Sequence, residues 1–427
     1  MSKQTPLHDW HSSRNANMAD FGGYEMPLWY ASVKQEHLSV LVGAGLFDTS
    51  HMAAVLVGGA DARRLLQYCF TQNLAACVGP RKQPLSEGRC VYGAFLNEDG
   101  GVVDDAIIYQ LGDTRYMVVV NAGMGAAIAA ALQNRTNGLA VQIEDRTDRI
   151  GKIDLQGPAA GLILQRILPE ADAVLADMAY FSFWGDLSTD EDAAGPRLKD
   201  GTPILLSRTG YTGEFGFEIF VSPHRLQEVW EMLLEAGAKN GLIPCGLAAR
   251  DSLRAGAVLP LSHQDIGPWP FIRNPWEFAL PFRRDRSGFT KDFVGRAALE
   301  AARDAPYTYP FVGEDLRKVS AAEPAVVLDT GGDRIGTVLT CATDVGIGRV
   351  QGRIFSVASE EAPDNFRPRG LSCGFVKVAS KMAPGDVVNL RDSRRTIRAT
   401  IATDIRPDRT ARRPIQLMIQ APEEVSP

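Results

Sequence analysis

The chain has 427 residues, a net charge of −6, 22% charged and 45% hydrophobic residues. That length is too great for one core and predicts two or three domains. The mild, dispersed acidity argues against nucleic acid as a main partner, and no apolar run approaches the roughly 18 residues of a membrane helix.

The N-terminal stretch, with His8, Asp9, Arg14 and Asp20, lacks the apolar core of a secretion signal and suits a transit peptide poorly, so a cytoplasmic protein is expected. The six cysteines show no CxxC pair and no ligand-like spacing with histidine. They are expected to be reduced, partly buried small hydrophobes, with neither a metal site nor a disulfide framework.

In chain order, the first clear element is a helix over 59–70, where Ala62, Leu65, Leu66 and Cys69 fall at helical spacing. A meander follows, with strands at 90–97, 102–111 and 116–121, and then an alanine-rich helix at 123–133. Short strands at 141–144 and 150–155 precede a helix opened by Gly157-Pro158. Residues 186–201 read as a polar surface loop, and 203–207 with 215–221 as a second hairpin-like unit. Helices are expected at 223–238, with Leu226, Val229, Trp230, Leu233 and Leu234 as its apolar stripe, and at 247–255.

From about residue 321 short β-like pieces are separated by Gly and Pro, which predicts a small β-barrel or sandwich with 346–370 as an insertion. Its tail carries a basic cluster, Arg406, Arg409, Arg412 and Arg413, read as a solvated face or an anion site. The fold class is therefore α+β: two α+β lobes in residues 1–320 and a C-terminal β domain in 321–427.

Three constellations carry chemistry. Asp104 and Asp105 are adjacent in an otherwise apolar strand, so alternation sends them to opposite faces and at least one into low-dielectric surroundings. Such a carboxylate is either a wet edge residue or a group held against a ligand nitrogen. In the turn Arg208-Thr209-Gly210-Tyr211-Thr212-Gly213 the backbone can approach a ligand, and Glu218 in the next strand has space above it beside Gly216. Arg250 and Arg254 share a helix face, which is unfavourable unless an acid or anion lies nearby. GxGxxG, Walker and nucleophile-elbow patterns are absent, against a dehydrogenase, an NTPase or a serine hydrolase.

In order, Leu7-His8-Asp9-Trp10-His11, Asp20-Phe21-Gly22-Gly23-Tyr24-Glu25-Met26-Pro27, Phe47-Asp48-Thr49-Ser50-His51-Met52, Gly100-Gly101-Val102-Val103-Asp104-Asp105, Leu155-Gln156-Gly157-Pro158, the Tyr211 turn, Gly246 to Arg254 and Phe293 to Leu299 are found. Together they resemble the T-protein (aminomethyltransferase) family of the glycine cleavage system.

The resemblance implies a three-domain, cloverleaf-like arrangement around a channel for tetrahydrofolate. It implies Asp105, with Asp104 second, as the carboxylate near the folate's reactive nitrogens, Glu218 and Arg250 as cofactor-binding residues, and Tyr211 and Met52 as pocket walls. The implied reaction moves an aminomethyl group from the lipoyl arm of H-protein, releases ammonia and yields methylene-tetrahydrofolate. No protein nucleophile is required.

The chain departs from the family pattern after Arg254. An acid is replaced by Gly256, Tyr-Gly by Ser262-His263, and 267–274 is longer and aromatic, with Trp269 and Phe271. Those changes lie where a donor could be recognised. The alternative is therefore a tetrahydrofolate-dependent demethylase of a small N-, O- or S-methyl compound. A non-catalytic folate-binding protein of iron–sulfur assembly is disfavoured, because its Lys-Gly-Cys-Tyr signature is missing.

Overall fold

The computed structural model describes residues 2–186, 195–320 and 325–419. Part of the loop expected at 186–201, and the point at 321 where the β domain was expected to begin, lie outside the described residues. The chain divides into two compact units, Met1–Met52 with Thr147–Arg250 and Arg409–Pro427, and Ala53–Arg146 with Asp251–Asp408.

The first unit is built on a six-stranded sheet in the order Phe183–Trp184, Leu205–Ser207, Gly216–Val221, Gly151–Gln156, Gly45–Asp48, Ile243–Pro244. Only the last pair is parallel. One face is apolar: Ile153, Leu155, Phe217 and Ile219 pack with Ile163 and Leu164 of helix Ala160–Ile167 and with Val229, Trp230 and Leu233 of helix Leu226–Gly237. Alternation sends Lys152, Asp154, Gln156 and Glu218 to the other face, and these polar side chains are buried too. Glu218 stands directly opposite Asp154 across the ladder. Facing like charges destabilise a sheet unless cations intervene.

The second unit contains an antiparallel five-stranded sheet, ordered Cys90–Leu96, Val102–Gly112, Arg115–Val120, Ala53–Gly58, Gln142–Asp145, with helices Ala62–Cys69 and Gly125–Gln133. Leu65, Leu66, Ile128 and Leu132 of the helices join Val55, Ile108 and Val118 in its core. The same unit holds a closed barrel of Tyr307–Gly313, Leu371–Val378, Arg334–Asp344, Val326–Leu328, Val387–Arg391 and Thr396–Ile401. Its first strand is drawn from upstream of 321. The expected insertion forms a separate hairpin, Ile347–Val350 with Arg353–Ser356.

The aromatic segment after Ile266 is clamped to the strand bearing the two aspartates: Val102 donates to the Gly267 carbonyl (2.7 Å) and Phe271 to that of Gly100 (2.9 Å). A β-carbon on Gly101 would lie 3.0 Å from the Pro268 carbonyl carbon, which is why the strand opens on glycine. Phe271 and Trp276 are core residues, Trp276 edge-on to Phe375 at 5.0 Å.

Arg406 does not belong to a solvated basic face. It is buried and paired with Asp344 at 2.6 Å. A β-carbon on Gly256 would lie 2.0 Å from the Asp344 carboxylate and 2.7 Å from the Arg406 guanidinium. Where the resemblance leads to an expected acid on the helix, the space beside Gly256 is filled by the carboxylate of Asp344, from the barrel strand Arg334–Asp344. Gly256→Ala is expected to break this pair and destabilise the protein by about 3 kcal/mol, the typical loss on splitting a buried ion pair, read as a fall in urea midpoint.

Candidate functional site

The structure brings Asp104 and Asp105 together with residues from three other parts of the second unit. A bulge at Val103 (Leu96 pairs with Val102, Phe95 with Asp104) bends the strand just before the pair. Past the bulge the alternation holds, Asp104 buried and Asp105 half-buried, yet one side chain reaches both carboxylates. Asn121, the first residue past strand Arg115–Val120, reaches both: its Nδ2 donates to Asp104 Oδ1 (2.8 Å) and to Asp105 Oδ1 (2.7 Å).

Asp104 is fully buried and takes two further donors, the Asn121 backbone N–H (2.9 Å) and the Ser262 hydroxyl (2.8 Å). His263 Nε2 lies 3.6 Å from the same Oδ1. Asp105 is half-buried and accepts the Tyr92 hydroxyl at 2.8 Å. The Tyr92 ring leans on Phe278, an exposed aromatic 5.9 Å away. Burial, and then the charge of Asp104, push the Asp105 carboxyl up to about 7, against the pull of Tyr92 and Asn121. An acid with that balance exchanges a proton near neutrality.

The other predicted residues lie in the first unit. Glu218 and Asp154, opposed across the sheet, are bridged by Lys152, whose Nζ donates to Asp154 Oδ1 (2.5 Å), Glu218 Oε1 (2.7 Å) and the Thr49 hydroxyl (3.2 Å). The Thr209 hydroxyl donates to Glu218 Oε2 (2.6 Å). The space expected above Glu218 beside Gly216 is filled: a β-carbon on Gly216 would lie 2.7 Å from the Gln156 side chain. Arg250 closes the network on Asp154 Oδ2 (2.6 Å), its guanidinium 4.9 Å from the Tyr211 ring centre and 5.9 Å from that of Phe47. Burial alone would raise Asp154, but Lys152 and Arg250 overcome it and hold the carboxyl at about 2.

Arg254, expected to share Arg250's acid or anion, has its own partners in Asp251 and Asp265. Met52 is half-buried, its N–H donating to the Thr49 carbonyl (3.1 Å). Beside it His51 is buried with Nδ1 lacking any partner among the described residues, and burial lowers its pKa to about 4, leaving a neutral ring. A guanidinium over an aromatic ring and an orphaned imidazole nitrogen suit a flat, hydrogen-bonding heterocycle.

Sequence reasoning missed Asn121 and Tyr92, and singled out Ser262-His263 only as a departure from the family pattern where a donor could be recognised, because none lies near the aspartates in the chain. It also missed Lys152 and Asp154, whose signal was present: two charges at alternate positions of a strand flanked by apolar residues. Asp105's raised pKa makes the folded state favour its protonated form, so its stabilising contribution is full below about pH 4 and is lost as pH rises through about 7. Asp105→Asn is therefore expected to be more stable than the parent at pH 8, with the gap closing toward pH 4 in paired thermal melts.

The GCVT N-terminal domain family model matches residues 7–282. An aminomethyltransferase of Streptomyces avermitilis is 36% identical over 401 residues, covering 92% of this chain and 98% of that protein. One from Geobacillus kaustophilus is 33% identical, covering 88% and 98%. The crystal structure of the glycine cleavage system aminomethyltransferase T from Bartonella henselae superposes with a TM-score of 0.71 at 28% identity, over 94% of this chain and 97% of that one.

Proposed function

We propose, from the premise that this chain belongs to the aminomethyltransferase (T-protein) family, that it transfers an aminomethyl-derived carbon to tetrahydrofolate and releases ammonia. The donor in this reading is the lipoyl arm of an H-protein, and the setting the cytoplasm. Among the described residues no helix is long and apolar enough to cross a membrane. The relatives favour aminomethyl transfer over direct demethylation of a small methyl compound.

The single observation that carries the reading is the Asp105 carboxyl, half-buried, gripped by Tyr92 and Asn121 and poised near neutral pH by Asp104. Tetrahydrofolate, when bound, supplies the acceptor nitrogens for the one-carbon unit. Asp105 acts as the base that removes a proton as the carbon is delivered, and its negative charge stabilises positive charge developing nearby. Asp104, met by three donors, keeps Asp105's pKa high through its charge. Arg250, its guanidinium over the Tyr211 ring, and His51 Nδ1 are assigned to recognition of the heterocycle, with Met52 beside them. Glu218 serves the same recognition from the buried end of the network, fixing Thr209 and Lys152.

The test is a stopped assay with aminomethyl-loaded H-protein and tetrahydrofolate. Methylene-tetrahydrofolate and ammonia are expected in equal amounts; no product with H-protein, but product with a small methyl compound, overturns the donor assignment. In that assay Asp105→Asn is expected to lower kcat by about 100-fold or more, the usual worth of a general base, with little change in folate affinity. Activity unchanged in that variant removes Asp105 from the mechanism. Arg250→Lys keeps a charge for Asp154 but loses the planar fork, and is expected to weaken folate binding about tenfold by titration calorimetry. Parental affinity would return Arg250 to a purely structural role.

A further inference from the structure

His263 adopts a left-handed backbone conformation, φ 64°, which disfavours side chains with a β-carbon and which glycine or asparagine accepts more readily. The loop in this conformation delivers two successive side chains to one oxygen of a fully buried carboxylate. Ser262 donates to Asp104 Oδ1 at 2.8 Å, and His263 Nε2 lies 3.6 Å from the same atom. The imidazole is 52% exposed, whereas Asp104 is inaccessible. Among the described residues His263 is the only group able to carry a positive charge within ion-pair reach of Asp104.

The groups facing the pair are otherwise neutral donors: Tyr92 and Asn121 from the neighbouring strands, and Ser262 from the loop. On the loop itself Asp265 is taken by Arg254. Contact with Asp104 raises the imidazole above its ordinary range against the effect of burial, and the charges of Asp104 and Asp105 add to this.

We propose that His263 is the counter-charge of the Asp104–Asp105 pair, a positioning residue that sets when Asp105 releases its proton. This rests on Asp105's assignment as the base. With His263 protonated, the charge of Asp104 is offset and Asp105 ionises more easily. When the exposed ring gives its proton to water, Asp105 feels Asp104 in full and holds its own proton more tightly. The half-exposed ring thereby couples the pair to the pH of the surrounding water, and only N–H and O–H bonds are involved.

The experiment titrates Asp105 by carboxyl 13C NMR in folate-free protein labelled at the aspartate side chains, the signal assigned by its loss in Asp105→Asn. His263→Gly and His263→Asn both accept the left-handed backbone, so folding is expected to survive; His263→Arg restores a positive charge. The Gly and Asn variants are expected to raise the Asp105 midpoint by about half a pH unit or more, a threefold change in its proton affinity, and Arg to return it to the parental value or below. The acid limb of kcat/KM should move with it, so that the Gly and Asn variants lose more activity at pH 6 than at pH 8. A midpoint that stays in place in the folded Gly and Asn variants overturns the proposal, even with a uniform loss of activity. If Asp105→Asn keeps full activity while the midpoint still moves, the assignment of Asp105 as base has failed and the coupling to His263 stands.

Discussion

A carboxylate removed from water has to be met by donors or by cations, and this chain buries several on the working faces of its sheets. In the second unit the answer is neutral: one asparagine amide spans Asp104 and Asp105, with hydroxyls and a backbone N–H completing the shell. Neutral donors soften the desolvation cost without cancelling the repulsion between neighbours, so one member of the pair stays a weak acid. In the first unit the answer is cationic. Lys152 and Arg250 tie Asp154 and Glu218 into one network, and the two cations hold the Asp154 carboxyl well below its usual range. The same physical problem, solved twice, yields one cluster able to exchange protons and another able only to hold a fixed pattern of charge.

That contrast explains what could be read from the chain. Strand and helix positions such as Val102–Gly112 and Leu226–Gly237 follow from periodicity, because their burial is one-sided and apolar patterning records it. The barrel is legible as a change of texture, although its first strand, Tyr307–Gly313, lies ahead of that change. Glu218 and Arg250 stand out in the sequence, but their surroundings do not. The open space inferred from Gly216 is taken by the Gln156 side chain, a contact between strands that no local pattern encodes.

The departures from the family pattern are informative in the same way. Read along the chain, Gly256 is a missing acid. In space an acid lies there nonetheless, Asp344 held by Arg406, and the glycine is the room it needs. Ser262-His263, likewise a simple loss of Tyr-Gly in sequence, is a gain of two polar contacts on Asp104 in three dimensions. Substitutions that look like erosion one residue at a time become exchanges once the partners are known.

The clamp between residues 267–271 and the start of the aspartate strand is made by main-chain N–H and carbonyl groups. Bonds of that kind are indifferent to side-chain identity, proline and steric crowding aside. Half-exposed side chains of the segment, Trp269 among them, can therefore be rewritten by mutation while the strand carrying the carboxylates keeps its anchorage. Such a separation of a fixed support from an editable rim gives natural selection a surface on which binding preference can drift without a penalty in the acid–base machinery.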